Sequence, residues 1–387
     1  MKRLLTILMI MFIASACHGK KEVPVPGAGQ PDQYKHLIEG KSVAVVANQT
    51  SMVGQTNLVE YLLGMGINIR VIFTPEHGYR EMASDGASIG DGTDTETGIP
   101  LKSLYGVRHK PSPEDLEGID VVIYDIQDVG ARFYTYISTL HYVMEACAES
   151  NVKCIVLDRP NPNGFYVDGN IADTSYRSFV AMHPIPIVHG MTPGEYAGMI
   201  NGERWLKSGA VCDLTVIKCK NYKHKTLYEL PVKPSPNLPN QTSVYLYPSI
   251  CFFEGTNISL GRGTPFPFQV YGSPLLPDAG FSFTPESVPA SVTPPLLGVK
   301  CYGVDLRNAI KDKLVPSPRM NLGWIIDAYR RYPEKNKFFN SYFDKLAAGP
   351  ILREQIQKGM SNEEIRASWK EGLEKFGKIR AKYLIYE

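Results

Sequence analysis

The chain has 387 residues and a formal net charge of +2, and its basic residues form no stripe, which argues against nucleic acid as a partner. With an N-terminal export segment set aside, roughly 350 residues remain, more than one hydrophobic core usually serves, so two domains are expected.

Lys2 and Arg3 precede an apolar run over residues 4–13, and Ala14, Ser15 and Ala16 stand immediately before Cys17. This order reads as a secretory signal. The run is shorter than the ~20 residues a spanning helix needs. Small residues ahead of a cysteine match the processing site at which a lipid is attached, so residues 1–17 are expected to be a lipoprotein signal with Cys17 as the anchor. Residues 18–35 are Pro/Gly-rich and polar and read as a tether. Membrane contact is then expected through the lipid alone, with the protein an exported cell-envelope lipoprotein facing the periplasm. The other six cysteines sit mostly in apolar runs such as KCIVLD and SICFF and are expected to be free, buried thiols.

From Ser42 onward, apolar β-rich runs alternate with helical periodicity. SVAVVAN, NIRVIFTPE, IDVVIYDIQD, KCIVLDRP and DLTVIKC read as strands, TNLVEYLLGMG and FYTYISTLHYVMEACAES as helices, and PIPIVHG as a strand or an extended segment. Thr192, Pro193 and Glu195 form a capping-box helix start. Near-continuous Val/Ile strands between helices predict a parallel sheet covered on both faces, an α/β Rossmann-like domain over residues 36–220. Residues 221–295 are rich in Pro, Gly, Asn and aromatics, with few periodic segments. Helical patterns then return in LGWIIDAYRRYP and in the segment that starts at Ser361 and Glu364, a second capping box. A smaller α+β domain over residues 221–387 is expected.

In open parallel sheets, ligands bind beyond the carboxyl ends of the strands. Polar residues follow each apolar run here: Asn48; Glu76 and His77; Asp125, Gln127 and Asp128; Asp158, Arg159, Asn161 and Asn163; and His189 after a further apolar segment. Any one of these residues equally makes a turn or caps a helix, but five such clusters point to a convergent polar edge. The first strand is followed by NQTSMVGQTN, without the glycine pattern of a dinucleotide site, so no nicotinamide cofactor is expected. G-x-S-x-G, H-E-x-x-H and P-loop signatures are missing too, and no close ligand pair has metal spacing.

The blocks VANQTS, FTPEHGYR, YDIQDVGARFYTYISTL, DRPNPNG, PIPIVHGMTPGEYA, PSPNLP and YPSICFFEGTNISLGRGTPFPFQVYGSP together resemble the exo-β-N-acetylmuramidase family. The resemblance is close over residues 43–274, and YDIQDVGARFYTYIS and EGTNISLGRGT are its most specific parts. It implies an active site in the cleft between a Rossmann-like domain and a smaller C-terminal one. It also implies release of N-acetylmuramic acid from the non-reducing ends of peptidoglycan fragments, with no cofactor. Export agrees with a substrate outside the cytoplasm.

Glycosidic cleavage needs an acid for the leaving oxygen and commonly a second carboxylate or the substrate's acetamido group. Glu76, after an apolar strand, is the first acid candidate, because a cleft favours a protonated carboxyl. His77 is expected to orient it or bind sugar. Asp125 or Asp128 would polarise water or the acetamido group, or else cap a helix and pair with Arg132. Glu254 is the rival acid from the opposite domain, with Asn257 and Arg262 on the same wall. The lactyl carboxylate of N-acetylmuramic acid calls for a cation, and Arg132, Arg159 and Arg262 are the candidates. Tyr134, Tyr136 and Phe266 offer faces for a pyranose ring. Asn48, Asp158, Asn161 and His189 complete the expected substrate-binding set. The alternative function is a lipid-anchored muropeptide or sugar binding protein without catalysis, which has little need of an acid.

Overall fold

The computed structural model describes residues 22–80 and 90–387. The expected signal, with Cys17, lies outside the described residues. Within them, no helix is long and apolar enough to cross a membrane.

Among the described residues, six parallel strands form the main sheet: β1 (Ser42–Ala47), β2 (Asn68–Thr74), β3 (Pro100–Ser103), β4 (Val121–Asp125), β5 (Lys153–Leu157) and β6 (Leu214–Ile217). Their spatial order is β3-β2-β1-β4-β5-β6, and the short strand Gly92–Thr93 pairs antiparallel with β3 at the edge. This is the doubly wound order, with its switch point between β1 and β4. The alternation within each strand explains the coverage of both faces. Ala44, Val46, Val122, Tyr124, Cys154 and Val156 enter one apolar cluster. Val43, Val45, Val121, Ile123, Ile155 and Leu157 enter another on the opposite face. A strand buried on both sides reads as a continuous apolar run, which is why these strands were legible.

Helices α1 (Leu58–Gly64), α2 (Tyr136–Ser150) and α3 (Pro193–Gly202) accompany the sheet. The expected capping box at Thr192 and Glu195 is formed. PIPIVHG is an extended segment rather than a strand of the sheet, with single bridges from Val188 to Ala131 and Asp168.

The second part is built on an antiparallel sheet of β7 (Val270–Ser273), β8 (Ser282–Phe283) and β9 (Cys301–Asp305), with β9 in the middle. A helix, α4 (Gln241–Ile250), runs through the stretch expected to be irregular, opened by a capping box at Asn240 and Ser243. Pro248 inside it obscured the helical pattern, since proline normally ends helices. A 3-10 turn, Cys251–Gly255, continues directly from α4. Helices α5 (Gly323–Arg331), α6 (Tyr342–Ala347), α7 (Ile351–Gln357) and α8 (Asn362–Arg380) follow, and Ser361 and Glu364 cap α8 as expected.

The two parts share one apolar core, which runs from β1 through α2 and α4 to Phe376. Chain termini also cross between regions. Val25 bridges Lys220, the Gly27 N–H donates to the Asp158 carbonyl, and Tyr34 is fully buried. Packed chain therefore begins well before residue 35, where the tether was expected to end. At the other terminus, Arg366 pairs with Asp168 and the Tyr386 hydroxyl donates to Asp158. All six described cysteines are free and buried, as their apolar surroundings predicted.

Candidate functional site

Strand β2 delivers Pro75, Glu76 and His77 at its carboxyl end. His77 takes a φ of 74°, the left-handed region that non-glycine residues seldom occupy, and Gly78 follows at 85°. This sharp turn presents the half-buried Glu76 while His77 is buried beside it. The Thr135 hydroxyl, just before α2, donates to Glu76 Oε2 at 3.1 Å, and the Tyr136 hydroxyl reaches the Glu76 carbonyl at 3.3 Å. The start of α2 therefore fixes both ends of this residue.

Opposite stands the 3-10 turn after α4, which carries Glu254. Arg262 Nε donates to Glu254 Oε1 at 3.1 Å and Nη2 binds the same oxygen. The guanidinium also lies 5.1 Å from the centre of the Phe268 ring. Both members of the pair are partly accessible, at 12% for Arg262 and 20% for Glu254. Glu76, Glu254 and Arg262 line one cavity of about 550 Å³. A smaller inner chamber joins Glu76 and His77 to Tyr134, Tyr136, Tyr247 and Phe268. Tyr134 is held by donating to the Pro234 carbonyl at 2.7 Å and packs edge-on against Tyr136. Six of the expected residues, Glu76, His77, Tyr134, Tyr136, Glu254 and Arg262, thus meet at one cleft between the two parts.

The other expected residues are engaged away from the cleft. Asp125 is fully buried and paired with Arg159, whose Nε and Nη2 reach its two oxygens at 2.6 and 2.8 Å. That pair closes on itself, so Arg159 is not offered to a ligand carboxylate. Arg132 does not pair with an aspartate. It is 1% exposed, and its guanidinium donates to the carbonyls of Asn170, Ile185 and Leu346. Burial lowers its pKa to about 9, which still leaves a cation at neutral pH.

Asp158 accepts from Thr192 Oγ1, the Gly194 N–H and Tyr386 at 2.6–2.7 Å, tying the start of α3 to the C-terminal segment. Burial pushes its carboxyl up to about 7 despite those donors. Asn161 shapes its own turn, accepting from the Asn163 N–H and donating to the Met191 carbonyl. Asn48 folds back to accept from the Thr50 N–H and hydroxyl. Asn257 turns outward and donates to the Lys337 carbonyl.

Asp128 and His189 form a buried couple, with Nε2 3.9 Å from Oδ1. Asp128 accepts from the Gly130 N–H at 2.6 Å, and burial raises its carboxyl to about 7. Burial lowers His189 to about 3, so its ring is neutral at pH 7. Nδ1 accepts from the Met191 N–H, which places the ring proton on Nε2, toward Asp128.

Sequence reasoning missed Thr135, Tyr247, Tyr342, His109 and Phe179, all of which line the cleft. They sit on helices and loops rather than behind strands, so the strand-end rule did not reach them. Phe266, one of the expected ring faces, instead packs with Phe281 and Leu296 and lies under Arg307. Phe268, two residues on, takes the place beside the site. Among the described residues, no group of His, Cys, Asp or Glu is arranged to hold a metal.

Comparison with known proteins agrees with this architecture. Residues 43–242 match the family model for the exo-β-N-acetylmuramidase NamZ N-terminal region, and residues 245–386 match that for its C-terminal region. The peptidoglycan β-N-acetylmuramidase NamZ of Bacillus subtilis is 40% identical over 377 residues, covering 92% of this chain and 89% of that protein. A crystal structure of a DUF1343 family protein from Bacteroides fragilis superposes with a TM-score of 0.88 at 47% identity, covering 95% of this chain and 99% of that one. A second from the same organism gives 0.79 at 28% identity, covering 94% and 99%. Matched along nearly its whole folded length in both sequence and structure, the chain belongs to the NamZ exo-β-N-acetylmuramidase family.

Proposed function

We propose that this protein is an exo-acting glycoside hydrolase that releases N-acetylmuramic acid from the non-reducing ends of peptidoglycan fragments by carboxylate acid/base chemistry. Family membership supports glycoside hydrolysis. The observation that carries the chemistry is the meeting of Glu76 with the Glu254–Arg262 pair at one cavity. Glu76 hands its proton to the glycosidic oxygen as the bond to the anomeric carbon breaks, and water adds to that carbon, its released proton restoring the Glu76 carboxyl. Thr135 holds the carboxyl oriented. Glu254 holds the Arg262 guanidinium, which reads the lactyl carboxylate. A chromogenic N-acetylmuramide should release its chromophore, and the matching N-acetylglucosaminide should not. Tight binding of muropeptide with hydrolysis of neither would instead establish a binding protein.

The lactyl assignment has its own test. Arg262→Leu should weaken muramide binding by ~1.5–3 kcal/mol, the scale of a charge-assisted hydrogen bond, with a smaller loss for a neutral analogue. Equal losses for the two sugars, measured by calorimetry, would remove Arg262 from that role.

The substrate lies outside the cytoplasm, and we infer that the protein reaches it as a lipoprotein anchored at Cys17, facing the periplasm. Cys17→Ser should move it from the membrane fraction to the soluble one. A lipid-free mature N-terminus elsewhere, found by mass spectrometry, would refute the anchor.

A further inference from the structure

We infer that the outer arm of the cleft is a subsite for the leaving part of the glycan, with His109 and Phe179 as its platform and Lys345 as its reader of negative charge. This rests on the muramidase reading above and extends it to substrate length.

Glu254, Arg262 and Tyr342 line two cavities of the cleft in common. One, of about 350 Å³, is walled by Glu254, Arg262 and Thr256 and holds the cation assigned to the terminal sugar. The other, of about 550 Å³, shares Glu254 and Arg262 with the first and runs from them and Glu76 past Tyr105, His109 and Phe179 to Lys345. Gly106 and Lys345 on its rim are exposed, so a chain lying in it continues into solvent. An exo-acting enzyme needs that opening on the side of the leaving group, because the terminal sugar ends the chain on the other side.

The platform is preformed. His109 stacks on Phe179 with ring centres 4.2 Å apart and planes 25° from parallel. Tyr142 of α2 lies nearly parallel to both rings at 6.2 and 6.3 Å. The Ser138 hydroxyl, also on α2, donates to the Phe179 carbonyl at 2.7 Å. The helix whose first turn orients Glu76 therefore also positions the platform, which sets a fixed distance between acid and aromatic wall. Flat rings suit the apolar face of a pyranose and need no rearrangement on binding. Lys345 is an exposed cation one helical turn from Tyr342 on α6. In an alternating glycan freed of its stem peptides every second sugar carries a lactyl carboxylate, so a cation at the far rim suits a leaving part of more than one sugar.

The test compares kcat/KM on a muramic-acid-terminated tetrasaccharide with kcat/KM on an aryl N-acetylmuramide, whose leaving group is a single ring. In Phe179→Ala the ratio of the two should fall ~10-fold, the scale of one aromatic contact. In Lys345→Ala it should fall ~3-fold at low ionic strength, and the fall should vanish near 0.5 M salt as exposed charges are screened. An unchanged ratio in both variants overturns the subsite while leaving the muramidase reading intact. Wild-type protein inert to both substrates overturns the muramidase reading, and the subsite with it. If Phe179→Ala fails to fold, Lys345→Ala decides alone, since its side chain lies on the surface.

Discussion

Glu76→Gln should lower turnover on natural muramic-acid-terminated fragments by ~100- to 10,000-fold while leaving their binding nearly unchanged. Glutamine keeps the shape of the side chain and can still accept from Thr135, which donates to Oε2 at 3.1 Å in the native protein. What it lacks is a proton to transfer. An activated phenol leaving group needs no protonation, so a nitrophenyl muramide should be cleaved by the variant with a much smaller deficit. A glutamate that merely supported the turn at His77 would give equal deficits on both substrates. Near-normal turnover of the natural fragments would remove Glu76 as the acid, and the same pair of measurements would then be made on Glu254→Gln.

Arg132→Leu should destabilise the fold by roughly 2–4 kcal/mol, read as a lower urea midpoint with an unchanged slope. The guanidinium serves carbonyls from the loop at Asn170, from the extended segment at Ile185 and from the end of α6 at Leu346. Leucine fills part of the space but leaves those acceptors buried without donors, and this outweighs the relief from burying a cation. Lysine should rescue only in part, because a single ammonium cannot reproduce the planar fork. Stability unchanged together with lost muramide affinity would instead return Arg132 to the lactyl site.

The contrast between Arg132 and Arg262 shows where the residues alone stop being informative. Both are arginines near apolar, aromatic-rich segments, and both suit a carboxylate. The path of the chain separates them: one is enclosed by main-chain carbonyls from distant segments, the other emerges at the cleft beside Glu254. Asp125 and Glu76 divide in the same way, since both stand at the carboxyl ends of β strands but Asp125 is consumed by Arg159, thirty-four residues on.

What the residues determined unaided is therefore local and periodic. Continuous Val/Ile runs are buried on both faces of a parallel sheet, capping boxes start α3 and α8, and polar groups gather at strand ends because a strand's last residues leave the core there. Long unusual blocks such as YDIQDVGARFYTYIS were enough to suggest the family. Tertiary structure decided which polar groups face the cleft. The smaller second domain is present as expected, and it shares one apolar core with the first, with α8 and the last residues returning to the first sheet, where Tyr386 caps Asp158. The helix carrying Glu254 to the cleft was hidden by Pro248, and the platform of His109 and Phe179 joins side chains seventy residues apart. Burial and hydrogen-bond satisfaction depend on neighbours far along the chain, and no local pattern encodes them.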